Sequence, residues 1–269
     1  MIDTTWRLLR NGAASAQAQM ALDERLAREA VLTARMFQWG VPAISLGWKQ
    51  PAPAWLDVSV LREQGLECVE RPTGGGIAFH GSDVSVSIIV PREFDLPLEA
   101  IMRSACRSAV NLCERYGAAA LSPDVPGRRR IEYCLTESRP YAIWLGGRKV
   151  AGFALRRYPK SWLVQGSLLV EPLPARLAQA LPPMLTSALA DRAVALTEAA
   201  DTPVDADAAA SQWLKQWEAG WEPLLLEELA PPPARPATGG AHPEAGDKIT
   251  EHYKRWAASP VAKLAQVGG

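Results

Sequence analysis

Residues 71–91 read RPTGGGIAFHGSDVSVSIIVP, and this stretch carries the strongest structural signals of the chain. Its three consecutive glycines indicate unusual backbone angles or a backbone that approaches a bound group closely. The segments on either side of the glycines are strand-like, so a plain hairpin turn is the alternative interpretation. Farther along, Val84, Val86 and Ile88 alternate with serines, a pattern that predicts a half-buried strand.

The composition is that of an ordinary globular protein, with 269 residues of which 48% are hydrophobic and 22% are charged. The 29 basic and 29 acidic side chains cancel, so a nucleic-acid partner is not expected. No apolar run is long enough to span a membrane, and the first residues lack the apolar segment of a secretion signal. We therefore expect a cytoplasmic protein with no membrane association.

Helical and strand-like segments follow one another without regular alternation, which predicts an α+β fold with a mixed or antiparallel β-sheet core flanked by helices. Helix-forming residues and apolar spacing predict helices at residues 15–32 and 97–116. Gly146 and Gly147 predict the turn of a hairpin between two further strands. From about residue 171 the chain is rich in Ala and Leu, which predicts more helices.

The chain divides into three parts by composition. Residues 1–230 have globular texture and are expected to form one domain with a helical C-terminal part. Residues 231–246, PPPARPATGGAHPEAG, are typical of a disordered linker. Residues 247–269 are expected to form a short helix and tail, with one apolar face made by Ile249, Tyr253 and Trp256.

The cysteines and histidines do not suggest a metal site. The four cysteines form no CxxC pair, and there are only three histidines, so neither zinc nor a thioredoxin-type motif is expected. Cys106 and Cys113 lie on or beside the apolar stripe of the helix predicted at 97–116. They are therefore interpreted as thiols of the hydrophobic core.

Three features outside this apolar stripe are candidates for a catalytic or binding role: the glycine run, Lys149 and Cys134. The glycine run fits neither the P-loop nor the dinucleotide-binding fingerprint, so it is another kind of phosphate or carbonyl cradle, or only a turn. Lys149, within GGRKVAG, either extends to solvent or projects a fixed positive charge into a site. Cys134 lies in a polar, basic stretch. It is either an idle loop cysteine or a nucleophile whose pKa is lowered by Lys149 and by Arg128–Arg130.

In combination and in order, four segments resemble the lipoate-protein ligase A and octanoyltransferase family. They are WRLLRNG…AQMALDERLA, PAISLGWKQ, ERPTGGGIAFHGSDVSVSIIVP and GRKVAGFALRR…LVQGSLLV, and the resemblance covers roughly residues 5–229. It implies that residues 1–230 form a catalytic domain of the fold shared by biotin and lipoate protein ligases. The implied activity is protein lipoylation, and the glycine run is then a functional loop.

The resemblance also implies roles for individual residues. Lys149 matches a lysine that contacts the activated acyl carbonyl or adenylate. Cys134 matches the nucleophile of the cysteine-dependent, LipM-like octanoyltransferases, which take octanoate from acyl carrier protein as a thioester. The acceptor would be a lysine of the glycine-cleavage H protein or of a lipoyl domain of 2-oxoacid dehydrogenases. The residues expected to bind substrate are Arg71, Thr73, Gly74, Gly75, Gly76, His80, Gly152, Phe153, Ala154 and Gly166.

Two other functions stay open at this point. An ATP-dependent ligase would use ATP and Mg²⁺ to form lipoyl-AMP, whereas the transferase needs no intrinsic cofactor. Gly76 keeps the ligase interpretation possible, because the transferase branch of the family often has Arg at this position. A non-catalytic acyl-binding homologue is suggested by Phe153 and Gln165, which stand where the family usually has Ser and His. Phe153 is also expected to narrow the acyl channel.

Overall fold

The computed structural model of the chain describes residues 5–121, 132–137, 141–200 and 203–218. The linker and tail predicted at 231–269, and Arg128–Arg130, lie outside the described residues. The strands are β1 (Arg7–Ala14), β2 (Thr33–Trp39), β3 (Ala43–Leu46), β4 (Glu67–Glu70), β5 (Ala78–His80), β6 (Asp83–Pro91), β7 (Ala119–Leu121), β8 (Ala142–Leu145), β9 (Arg148–Arg157) and β10 (Ser161–Leu169). The α-helices are α1 (Ala16–Glu29), α2 (Val58–Glu63), α3 (Leu98–Cys113), α4 (Ala175–Ala180), α5 (Pro183–Arg192), α6 (Leu196–Ala199) and α7 (Ala206–Glu218).

Within the described ranges these strands form two sheets. The large sheet has seven strands in the order β1-β2-β6-β10-β9-β8-β7, in which β1 and β2 are parallel and the other neighbours are antiparallel. The small sheet has the order β4-β3-β5, with β3 parallel to β4 and antiparallel to β5. The prediction of an α+β fold with a mixed sheet and flanking helices is confirmed.

The large sheet is covered on both faces. Helix α3 ends at Cys113, three residues before the end predicted at 116, and its apolar stripe packs with α7 and with the apolar side chains of β6 and β10. Cys106 and Cys113 are fully buried there, so their interpretation as core thiols is confirmed. Burial, with a smaller effect of the Glu114 charge, raises the pKa of Cys113 to about 12. Helix α1 covers the opposite face through Leu26 and Ala27.

Strand β6 differs from its prediction. All nine of its residues are buried, so it is not the half-buried strand that its alternation predicts. Val84, Val86 and Ile88 pack in the core beneath α3. The alternate side chains point to the α1 side, where the Ser87 hydroxyl donates to Asp23 Oδ2 over 2.5 Å. The polar residues of this strand are therefore buried hydrogen-bonding groups rather than solvent-facing ones.

The glycine run is not a hairpin turn. Strands β4 and β5 pair with opposite edges of β3, so the run is the connection that carries the chain across the small sheet. Gly75 has φ of +93°, a conformation that favours glycine. A Cβ atom built on Gly47 would lie 2.1 Å from the Gly75 carbonyl oxygen, so two backbones meet here without side chains between them. The other predicted turn, at Gly146 and Gly147, does join an antiparallel hairpin.

Candidate active site

A partly open cavity has a wall supplied by both sheets and by the loop that carries Cys134. Most of this wall is apolar, and aromatic side chains contribute much of it: Phe37, Trp39, Phe79, Tyr141 and Phe153. A mostly apolar cavity with a few convergent polar groups is the common form of a small-molecule site.

The cavity gathers most of the residues that the sequence singles out. Those in its wall are Arg71, Gly75, His80, Cys134, Lys149, Gly152, Phe153, Ala154 and Gly166. The other three, Thr73, Gly74 and Gly76, contact wall residues from behind. The Thr73 hydroxyl donates to Gln165 Oε1 over 2.6 Å, and the carbonyl oxygens of Gly74 and Gly76 each accept from Arg71 Nη2 over 2.7 Å.

The Cys134 loop is attached to the chain just after the glycines. The Ile77 N–H donates to the Glu132 carbonyl oxygen, and the Cys134 N–H donates to the Ile77 carbonyl oxygen, each over 2.8 Å. The Cys134 thiol donates to the Gly76 carbonyl oxygen over 3.1 Å, and Arg71 Nη2 lies 3.7 Å from its sulfur. Backbone pairing thus fixes this thiol against the glycine loop and beside a cation.

Lys149 is buried, with 4% of its surface exposed, so the interpretation in which it extends to solvent is wrong. Strand β9 directs its side chain toward the Cys134 loop, where Nζ donates to the carbonyl oxygen of Cys134 and, over 3.1 Å, to that of Glu137. The ammonium group therefore lies in the cavity wall and also holds the loop that carries the thiol.

Arg71 explains why an arginine precedes the glycines. Besides its bonds to the glycine carbonyls, its Nη1 donates to the Ser45 carbonyl oxygen over 3.1 Å and to the Ser45 hydroxyl over 3.2 Å. One guanidinium, itself 7% exposed, thereby connects strand β3, the glycine loop and the Cys134 sulfur. The planar fork of donors suits this role better than a lysine would.

His80 is fixed on both sides of its ring. Its Nδ1 lies 2.9 Å from Asp83 Oδ2, its Nε2 lies 2.8 Å from Ser45 Oγ, and its ring stacks on Trp39 at 3.9 Å. Burial opposes ionisation of Asp83. The attraction of His80 and the hydrogen bonds from His80, Ser167 and Gly81 outweigh burial and hold the pKa of Asp83 below its usual value.

Sequence reasoning missed Ser45 and Asp83 and understood Gln165 only as a departure from a family pattern. Gln165 Nε2 donates to Asp23 Oδ2 over 2.6 Å while its oxygen accepts from Thr73, so it joins helix α1 to the glycine loop. Asp83 follows His80 by three residues at the start of a strand, a signal that was available. Ser45 gives no local signal, because only the pairing of β3 with β5 brings it to His80.

Phe153 lies across Gly166 of the neighbouring strand. A Cβ atom on Gly166 would come within 2.4 Å of the Phe153 ring, so only glycine leaves room for the ring there. The far side of the ring meets Trp213 edge-on, with ring centroids 6.2 Å apart. Phe153 is therefore a fixed part of the cavity wall.

The part of the chain that the structure describes holds neither a metal-binding cluster nor a membrane-spanning helix. No group of three or more His, Cys, Asp or Glu side chains there is arranged to hold a metal ion. In the same part of the chain, no helix has the length and apolar character needed to cross a membrane.

The cavity, its glycine loop and its sheet arrangement define a protein of the lipoate-ligase type. The family model described as "Lipoyl protein ligase A/B catalytic domain" matches residues 15–218, and the chain belongs to this family. A solved relative in fold is Ta0514, a putative lipoate protein ligase from T. acidophilum with bound lipoic acid. Its TM-score is 0.61 at 20% identity, over 82% of this chain and 92% of that one.

Among curated relatives, the chain is similar to proteins named octanoyltransferase LipM. Octanoyltransferase LipM of Symbiobacterium thermophilum is 32% identical over 184 residues, which is 63% of this chain and 67% of the relative. Octanoyltransferase LipM of Kyrpidia tusciae is 29% identical over 225 residues, covering 76% of this chain and 82% of the relative.

Proposed function

We propose that this chain is an octanoyltransferase of protein lipoylation that carries the acyl group on Cys134. The observation that carries the proposal is the Cys134 thiol in the wall of a largely apolar cavity, 3.7 Å from a guanidinium nitrogen. The LipM relatives support octanoyl transfer over ligation. The proposal includes a cytoplasmic location, because a thiol nucleophile must stay reduced.

In the first step the donor is octanoyl-acyl carrier protein. The Cys134 thiolate attacks the thioester carbonyl, a new carbon–sulfur bond forms, and the bond to the carrier thiol breaks. The departing carrier thiolate takes up a proton equivalent to the one that Cys134 has lost. The Lys149 ammonium and backbone N–H groups near Gly75 and Gly76 are proposed to stabilise the oxyanion between these two events.

In the second step the acceptor is a lysine of a lipoyl domain or of the glycine-cleavage H protein. Its neutral amine attacks the Cys134 thioester, an amide forms, and the sulfur departs with the proton that the amine loses. The apolar wall contributes by burying the octanoyl chain and excluding water, which would otherwise hydrolyse the thioester. Neither step requires ATP or a metal ion.

The test is the covalent adduct itself. Octanoyl-acyl carrier protein alone, without ATP or Mg²⁺, should add the mass of one octanoyl group to the protein, and Cys134→Ser should show no adduct and no transfer. Cys68→Ser is the matched control, because Cys68 is also a half-buried free thiol but lies on β4. Normal transfer by Cys134→Ser would contradict the covalent route.

ATP-dependent ligation is the second candidate, and Gly76 favours it because it leaves the glycine run uninterrupted. The same preparation incubated with lipoate, ATP and Mg²⁺ and a lipoyl domain would then form lipoyl-AMP and modified acceptor. A protein that forms neither product while binding octanoate would instead be the non-catalytic homologue that Phe153 and Gln165 suggest.

A further inference from the structure

A continuous run of hydrogen bonds connects a buried carboxylate of β6 to the Cys134 thiol. Asp83 Oδ2 lies 2.9 Å from His80 Nδ1, and His80 Nε2 lies 2.8 Å from Ser45 Oγ. Arg71 Nη1 donates to Ser45 Oγ over 3.2 Å, and Arg71 Nη2 lies 3.7 Å from Cys134 Sγ. The four residues before the cysteine are at most 7% exposed, so bulk water does not compete for these bonds.

The donor and acceptor groups of these residues set the direction of some of the hydrogen bonds. A guanidinium only donates, so the Ser45 oxygen accepts from Arg71, whereas the Ser45–His80 hydrogen bond runs in the direction that the protonation of the ring sets. Because an ionised carboxylate only accepts, His80 Nδ1 carries the hydrogen that bonds Asp83. Asp83 also accepts from Ser85 Oγ over 2.9 Å and from Ser167 Oγ over 2.6 Å, so it acts as an acceptor throughout.

The order Ser45, His80 and Asp83 is that of a hydrolase triad, but the surroundings oppose a nucleophilic serine. Ser45 has no exposed surface, and its oxygen already accepts a hydrogen bond from Arg71. Ser45 borders the cavity, but a serine whose oxygen is held in this way is poorly placed to attack a carbonyl carbon. The sulfur at the end of these hydrogen bonds is that of Cys134, which lines the same cavity.

We propose that Asp83, His80 and Ser45 are positioning residues that hold the Arg71 guanidinium against the Cys134 sulfur. The thiol donates to the Gly76 carbonyl oxygen, and once it loses its proton the nearby guanidinium is the cationic donor that stabilises the thiolate. Arg71 also has three backbone acceptors, so the serine hydroxyl adjusts the orientation of the guanidinium rather than supplying its whole anchorage.

This inference rests on the proposed function only where it takes the Cys134 thiolate to be the nucleophile of acyl transfer. Its test contains no acyl donor or acceptor, so a failed transfer assay and a failed positioning role give different results. The measurement is the alkylation rate of Cys134 by iodoacetamide in the full chain, followed by peptide mass spectrometry across the neutral pH range. Within the described residues, the charged side chains on or against the thiol and its loop include Arg71, Lys149, Arg192, Glu132 and Glu137, and the variants leave all of them in place.

Ser45→Ala should raise the midpoint of the alkylation profile by about 0.5 to 1 pH unit, which corresponds to roughly three- to tenfold slower alkylation below the midpoint. Ser161→Ala is the matched control, because it removes an equally buried hydroxyl that donates to the Ala27 carbonyl oxygen over 2.6 Å, on the α1 side of the sheet. Its profile should coincide with that of the unaltered protein.

A second variant guards against a fold defect in the first. Asp83→Asn keeps the shape of the side chain and removes the charge that orients His80, and it should raise the same midpoint. Circular dichroism establishes which variants are folded. If either folded variant alkylates with the midpoint of the unaltered protein, the positioning role is wrong.

Discussion

The two faces of the large sheet hold opposite kinds of chemistry although the same strands make both. On the α3 face, Val84, Val86 and Ile88 of β6 pack among apolar side chains and two thiols. On the α1 face, Asp83, Ser85 and Ser87 of the same strand take part in buried hydrogen bonds. One strand thus supports a hydrophobic core on one side and the candidate active site on the other.

The comparison separates what stabilises the protein from what makes it reactive. Burying polar groups costs free energy unless they are paired, so a face rich in buried polar residues is retained for something other than stability. The fully buried ion pair of Arg35 with Asp23 lies on this polar face, and Gln165 connects it to the glycine loop through Thr73. The apolar face needs no such pairing.

The largest effect is expected from breaking the apolar face. Leu112 is fully buried on α3, so Leu112→Ala should lower the free energy of unfolding by about 2–5 kcal/mol through lost burial and a cavity. Asn111→Ala, at the adjacent exposed position, should change it by about 0.5 kcal/mol or less. Denaturant titration measures both, and equal effects would contradict the assignment of this face as the stabilising one.

The second-largest effect is expected in the candidate active site, on the other side of the large sheet from α3. Lys149→Met keeps the length of the side chain but removes the charge in the cavity wall and two hydrogen bonds to the Cys134 loop. We expect octanoyl transfer to fall by about 10²–10³-fold. Cys134 alkylation reports whether the loop has also moved. A Lys149→Met protein with full transfer activity would show that the lysine only holds the backbone.

The smallest effect is expected where the two faces meet. Phe153 borders the cavity and touches Trp213 of the α3 side, so Phe153→Ala should lengthen the space for the acyl chain. The ratio of kcat/KM for decanoyl over octanoyl donor should rise by about tenfold, the scale of a few methylene groups in an apolar site. Trp162→Ala, on the neighbouring strand β10, is the comparison variant. An unchanged ratio would mean that Phe153 does not limit chain length.

The parts of this fold that could be predicted from sequence are those set by local physics. Helix α3 follows from its apolar period, and the hairpin at Gly146 and Gly147 follows from two residues with positive φ. Strand β1 is not predicted, because its sequence, RLLRNGAA, does not alternate apolar and polar residues and its partner β2 lies farther along the chain. The hairpin alternative for the glycine run failed for the same reason, since β3 separates β4 from β5.

The residues of the candidate site also divide into those that local sequence motifs indicate and those that only non-local strand pairing brings together. Cys134, Lys149 and the glycine loop carry motifs, and the structure brings them into one wall. Ser45 carries none, because a single serine becomes significant only when a non-local strand pairing puts it beside His80. The alternation of β6 was misread for a related reason. Alternating polar residues give the same sequence pattern whether they face water or, as in β6, form buried hydrogen bonds.

Gly47 lies outside the glycine run, yet the run depends on it. Any side chain at this position would begin 2.1 Å from the Gly75 carbonyl oxygen, and the backbone that it would displace is the one that holds Arg71. Mutational tolerance at residue 47 should therefore be as low as within the motif itself. When such a loop is transplanted into another scaffold, the transferable unit is a pair of facing backbones, and a graft of the glycine run alone would leave half of it behind.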